Sequence, residues 1–225
     1  MTEPHFVHAL ALGVDGGWRR LPREQRCASA EDLAHALAEP SPVKTFTYST
    51  IGIEPGCDVL LWSLGPSLDA LERKAAAVLR SGLGSFLSVR HSFLGLIRPS
   101  QYVRRPTEQE QSMFAGERSA YLVVYPFTKS TDWYLLSQAE RQKVMNEHMK
   151  VGHGYRQVRQ LLAYSFGLDD MDFLVAYETD DLEAFGELVR ELRGTESRRS
   201  TVRDTPILTA VHRPIEEIAA RLGAG

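Results

Sequence analysis

Two stretches of this 225-residue chain repeat one another, and that repeat limits what the chain can fold into more than any other feature. Residues 48–71 read YSTIGIEPGCDVLLWSLGPSLDAL, and residues 164–185 read YSFGLDDMDFLVAYETDDLEAF. Both run Tyr-Ser, then Gly with Ile or Leu and an acid, then Asp, a short apolar run containing an aromatic, and an amphipathic segment. Gly52 and Gly167 are 115 positions apart, while Leu68 and Leu182 are 114 apart. The chain therefore reads as two halves of similar fold. We divide it at 1–98 and 119–225, with 99–118 as a polar connector carrying Pro99 and Pro106.

Each half carries the same elements. Val59–Trp62 and Phe173–Tyr177 are short, β-favouring runs bounded by turn residues. A helix follows each. Ser67 caps the first, with Leu68, Leu71, Ala75, Val78 and Leu79 on one stripe. Asp180 or Asp181 caps the second, with Leu182, Phe185, Leu188, Val189 and Leu192 on its stripe. Gly194 stands where a helix C-terminus favours glycine. Phe86–Ile97 and Thr205–Val211 return as antiparallel strands, Gly16–Gln25 reads as a surface loop, and Pro214–Leu222 as a terminal helix. Strands and helices with hairpin-like returns point to an α+β fold with antiparallel sheets and helices on the outside.

Composition narrows the function. With 26 Lys and Arg against 29 Asp and Glu the net charge is -3, and acidic stretches such as Glu178–Glu187 repel phosphate, so nucleic acid is not expected as a partner. Cys27 and Cys57 form neither a CxxC nor a four-ligand zinc set, which suits a reducing compartment. Residues 1–14 lack the n-region and cleavage site of a signal peptide, and no apolar run reaches the roughly 18 residues needed to span a bilayer. A cytoplasmic protein without membrane insertion is expected.

One stretch is unusual for chemistry: residues 121–151, YLVVYPFTKSTDWYLLSQAERQKVMNEHMKV. The strand 119–125 places Tyr121, Val123 and Tyr125 on one face, and Pro126 is expected to end its ladder. Ser137 and Glu140 spell an S-x-x-E capping box, so a helix starts there and runs to about Gly152. Arg141, Val144, His148 and Val151 share its inward face. Taken singly, these residues have ordinary readings. His148 can be a hydrogen-bonded core histidine, Tyr125 a strand-end tyrosine, Lys129 a solvated cation and Trp133 a packing residue. No HExxH, CxxC, glycine-rich phosphate loop or GxSxG accompanies them. His5, His8, His35, His91, His153 and His212 have no partner pattern, and Arg198, Arg199 and Arg203 read as a salt-bridge cluster with Asp204 or Glu196.

Together these residues resemble the C-terminal half of the chlorite dismutase-like family. The matching pieces are YPFTK (125–129), WYLL (133–136), ER..VM.EH (140–148), SFGLDD (165–170), ETDDL..F..LV..LR.TE (178–196) and RDTP (203–206). They cover about 90 residues in order; the N-terminal half matches only in pattern. The resemblance implies two fused ferredoxin-like halves of the dimeric α+β barrel type, assembled as homopentamers. It implies heme, or iron coproporphyrin, held by His148 as the iron ligand, with Glu196 on the ligand's other nitrogen. Lys129 is implied at a propionate edge, Trp133 in the pocket wall, Ser197 at a propionate, and Tyr125 as a radical residue. Phe127 and Met145 are further candidates for an apolar wall. Chlorite dismutases keep a distal arginine where this sequence has Leu161 or, with a one-residue gap, Gln160. Arg159 shares a face with Leu161 only if the segment is a strand. The expected activity is therefore peroxide-dependent coproheme decarboxylation in heme synthesis. Alternatives are a weak peroxidase or chlorite-decomposing enzyme, a non-enzymatic heme carrier or sensor, and a ferredoxin-like protein without a ligand.

Overall fold

The computed structural model describes residues 5–99, 102 and 117–225. Most of the connector read from the sequence (100–101 and 103–116) lies outside the described residues. By contacts the chain forms two units, Met1–Leu96 with Thr209–Gly225, and Ile97–Leu208.

The first unit runs β1 (Phe6–Val14), α1 (Arg23–Ala38), β2 (Lys44–Ser49), β3 (Val59–Gly65), α2 (Leu68–Arg80) and β4 (Leu87–Leu96). This is the βαββαβ order of a ferredoxin-like unit, with antiparallel neighbours β4-β1-β3-β2. The second unit repeats it: β5 (Tyr121–Lys129), the short α3 (Thr131–Leu135), α4 (Gln138–Gly152), β6 (Arg159–Tyr164), β7 (Phe173–Thr179), α5 (Leu182–Arg193) and β8 (Thr201–Arg203). Its order, β6-β7-β5-β8, matches the first. The repeat extends to element starts. Residues 6 and 121, 23 and 138, and 44 and 159 are 115 apart; 59 and 173, 68 and 182, and 87 and 201 are 114 apart. The one-residue gap falls between β2 and β3. Gly52 and Gly167 both have φ of 70°, a left-handed conformation that side chains resist, so both copies keep glycine in this turn.

Three local readings change. Gly16–Gln25 is no surface loop: Trp18 is fully buried, its indole N–H donates to the Leu222 carbonyl at 2.8 Å, and α1 starts at Arg23. The last strand is interrupted: β8 ends at Arg203 and β9 (Leu208–His212) starts beyond Pro206, which has no N–H to donate. β9 pairs with β2 (Tyr48↔His212), and the terminal helix α6 (Ile215–Ala219) buries Ile215 and Ile218 in the first unit's core. Those contacts place Thr209–Gly225 with the first unit. Finally, β5 continues through Pro126, which keeps register opposite Leu174. Asp172 satisfies the strand beyond it. Its N–H donates to the Phe127 carbonyl at 3.1 Å, and its carboxylate accepts the Lys129 N–H at 2.7 Å.

The two units fill matching positions differently. Leu10, Leu33 and Leu83 stand where the second unit has Tyr125, His148 and Ser197, and all three are buried in one hydrocarbon core. Leu33 is 1% exposed. Leu33→Ala is expected to cost about 2–5 kcal/mol in denaturant unfolding, from lost burial plus the cavity left behind. A cost below about 1 kcal/mol would show that the site collapses freely.

Candidate functional site

The second unit's candidate residues gather on one face of its sheet, under α4 and α5. Cross-strand partners share a face, so Tyr125↔Val175, Val123↔Tyr177 and Gln160↔Tyr177 place Tyr125, Tyr177 and Gln160 together. Val175, Tyr177, Leu188 and Val158 are buried there, with Tyr125, Phe127, Val151 and Phe185 packed against them. Leu161 opposes Ala176 and so lies on the other face. β6 is a strand, so Arg159 shares Leu161's face. Its guanidinium ion-pairs at 3.0 Å with Glu178, a fully buried carboxylate that Arg118 also meets at 3.3 Å. Of the two candidate distal positions, Gln160 is the one on the tyrosine face.

Lys129 ends β5 and is buried. Its ammonium donates to the Ser197 carbonyl at 2.8 Å, and lies 4.6 Å from the Trp133 ring centre and 5.3 Å from that of Phe127. Trp133 is buried on α3, directly after the strand. Among the described residues no carboxylate reaches Lys129 within ion-pair distance. Desolvation, helped by the nearby Arg198 charge, lowers the lysine pKa to about 8.

His148 lies on α4, whose start carries both halves of the capping box: Ser137 Oγ accepts from the Glu140 N–H, and Glu140 accepts from the Ser137 N–H at 2.9 Å. The imidazole Nδ1 meets Ser197 Oγ at 3.0 Å. Burial first, then the Lys129 charge, lowers the His148 pKa to about 4, so the ring is neutral at pH 7. Glu196 does not occupy the position that the resemblance implies. Residues 196–200 form a 3-10 turn, where adjacent side chains point about 120° apart, so only one of the two can face α4. Ser197 takes that direction and is buried. Glu196 points outward to Arg199 at 3.1 Å, and its N–H donates to the Glu147 carboxylate. Arg198 pairs with Asp204 and Arg199 with Glu196, as read, while Arg203 makes no ion pair among the described residues.

Tyr125 stacks on Tyr177, with ring centres 6.2 Å apart and planes at 28°. Burial first, then the neighbouring Tyr177 hydroxyl, holds the Tyr125 pKa well above that of a free phenol. Tyr177 was not singled out by sequence reasoning, although strand alternation from Val175 already put it on the inward face. Asp172 was also missed: besides Lys129, it accepts from the Tyr134 hydroxyl at 2.6 Å. Its repeat partner Asp58, which accepts from the Val14 N–H, was the available signal. Met145 is half-buried and makes no specific contact that bears on the site.

The family model described as Chlorite dismutase matches residues 23–213. A coproheme decarboxylase of Mycolicibacterium smegmatis is 30% identical over 177 residues, 78% of this chain and 75% of that protein. A mutant chlorite dismutase from Candidatus Nitrospira defluvii superposes with a TM-score of 0.89 at 26% identity, covering 99% of this chain and 97% of the other. The same organism's chlorite dismutase in complex with imidazole gives 0.88 at 25% identity, with the same coverage.

The low pKa of His148 sets a pH dependence. The folded ring titrates at about 4 and the unfolded ring near 6.5, so the unfolded chain binds a proton first as pH falls. This contribution to stability is complete above about pH 6.5 and is lost as pH drops toward 4. Denaturant titrations of the apo-protein across that window are expected to show a steeper loss for the parent than for His148→Gln. Equal slopes would place the imidazole in water.

Proposed function

The chain belongs to the chlorite dismutase family, and from that premise we propose that it is a peroxide-dependent coproheme decarboxylase, holding iron coproporphyrin at His148 and converting it to heme b. The observation that carries this reading is the buried Lys129 ammonium, which has no carboxylate partner among the described residues and lies beside a neutral imidazole. A cation of that kind suits an anionic group brought by a ligand, and a neutral imidazole suits a metal. A single imidazole suits an iron whose in-plane ligands come with a macrocycle.

The residues fit the group. With Nδ1–H donating to Ser197 Oγ, the Nε2 lone pair of His148 is left for iron. Lys129 would hold a propionate carboxylate, and Trp133 and Phe127 form the dry wall around that charge. Bound iron porphyrin supplies, with peroxide, the oxidising chemistry. Tyr125, oxidised to a neutral phenoxyl radical, takes a hydrogen atom from the propionate chain and is restored as a phenol. Loss of a second electron and of carbon dioxide leaves a vinyl group. Each propionate, with one peroxide and one proton, gives a vinyl group, carbon dioxide and two waters. Neither candidate distal position, Leu161 or Gln160, is an arginine, which supports keeping chlorite chemistry as the second reading. The family's pentameric assembly and a cytoplasmic location accompany this reading. Among the described residues no helix is long and apolar enough to cross a membrane.

The test is to load the apo-protein with iron coproporphyrin, titrate hydrogen peroxide and follow products by mass spectrometry. Two stepwise carboxyl losses are expected. Tyr125→Phe should still bind porphyrin but lose carboxyl groups more than about a hundredfold more slowly. His148→Ala should change the iron spectrum. Bound coproheme that is never decarboxylated would put a carrier or peroxidase ahead, and oxygen release from chlorite would put the chlorite reading ahead.

A further inference from the structure

Tyr177 is a buried phenol for which the mechanism above has no use. It is 5% exposed, on the sheet face of the second unit, and diagonal to Tyr125 across the β5–β7 ladder. Its other aromatic neighbour is Phe185, with ring centres 5.2 Å apart, and the surrounding cluster is apolar. Burial raises the pKa of Tyr177, and the neighbouring Tyr125 hydroxyl offsets part of that rise. The two rings stack with centres 6.2 Å apart on one dry face, an arrangement in which a hydrogen atom can move between phenols without a change of charge. Charge neutrality matters here, because burial disfavours a phenolate or a radical cation at either ring.

Resting on the decarboxylase reading, we propose that Tyr177 is the redox partner of Tyr125, and that the stacked pair stores one oxidising equivalent. The exchange is balanced within the pair. The Tyr125 phenoxyl oxygen takes the hydroxyl hydrogen of Tyr177; one O–H bond forms, one breaks, and proton and electron move together. Peroxide, through the bound iron porphyrin, is the oxidant that makes the first radical. The two phenols are chemically alike, so the exchange is close to isoenergetic and reversible. Tyr177 holds the equivalent on the more buried ring until a propionate is in place, then returns it to Tyr125. The first unit has no counterpart: the matching positions are Leu10 and Ser63.

Tyr177→Phe removes one oxygen and keeps the ring, so folding and porphyrin affinity should be retained, as a porphyrin titration will check. Freeze-quenched samples taken after peroxide addition should show a parent tyrosyl radical with a proton coupling that exchanges in deuterated water, and Tyr177→Phe should lack that coupling. The variant should also spend at least about threefold more peroxide per carboxyl group lost, because equivalents leak once the store is gone. A variant with the parent's coupling and peroxide ratio overturns the pair while leaving the decarboxylase reading standing. A parent that binds iron coproporphyrin yet forms no tyrosyl radical and loses no carboxyl group overturns that reading, and the pair with it.

Discussion

Ser197 touches both groups on which the site depends. Its carbonyl accepts from the Lys129 ammonium at 2.8 Å and its hydroxyl meets His148 Nδ1 at 3.0 Å. The end of β5, the inward face of α4 and the turn after α5 are thereby held at one residue. Neither bond neutralises the lysine, so a positive charge stays buried beside an imidazole whose own protonation it opposes. That is an unfavourable arrangement for an empty site and a favourable one for an anion carrying a metal. A hydroxyl is also a neutral partner. It orients the imidazole without pushing it toward imidazolate, as a carboxylate would, and would make His148 a milder donor to a bound iron.

The duplicated fold shows how a site is made and unmade on one frame. Both units use the same topology and the same left-handed glycine in the turn before the third strand, and differ in length by one residue there. Where the second unit sets Tyr125, His148 and Ser197, the first sets Leu10, Leu33 and Leu83 and closes the space with hydrocarbon. One half contributes buried apolar surface, and the other sets polar groups beneath its helices. Asp58 and Asp172 are retained in both because they serve the frame, accepting the N–H of the last residue of the first strand in each unit.

Much of this was legible in the sequence because it depends on local chemistry. The repeat, the capping box at Ser137, the inward stripe holding His148 and the β-strand character of 173–177 follow from periodicity and short-range hydrogen bonding. Gln160 and Leu161 could be separated only by register, which no spacing reveals, since a slip of one residue exchanges the faces. That Ser197 and not Glu196 meets His148 was hidden for a similar reason: a 3-10 turn turns adjacent residues apart, and its exact start cannot be read from ESRRS. Pro126 was expected to stop its strand, but a proline stops a ladder only where its missing N–H has to donate, and Asp172 satisfies the groups beyond it. Trp18 sat among polar neighbours that hid its burial, because the carbonyl it bonds comes from Leu222, some two hundred residues away.

The central claim is that His148 would hold the iron through Nε2, with its ring oriented by Ser197. The most direct measurement is a crystal structure of the protein loaded with iron coproporphyrin. The expected result is His148 Nε2 at bonding distance from iron, about 2.0–2.2 Å, with Ser197 Oγ still on Nδ1 and Lys129 on a propionate oxygen. Iron ligated by any other residue, or a porphyrin seated away from Lys129 and Tyr125, would contradict it.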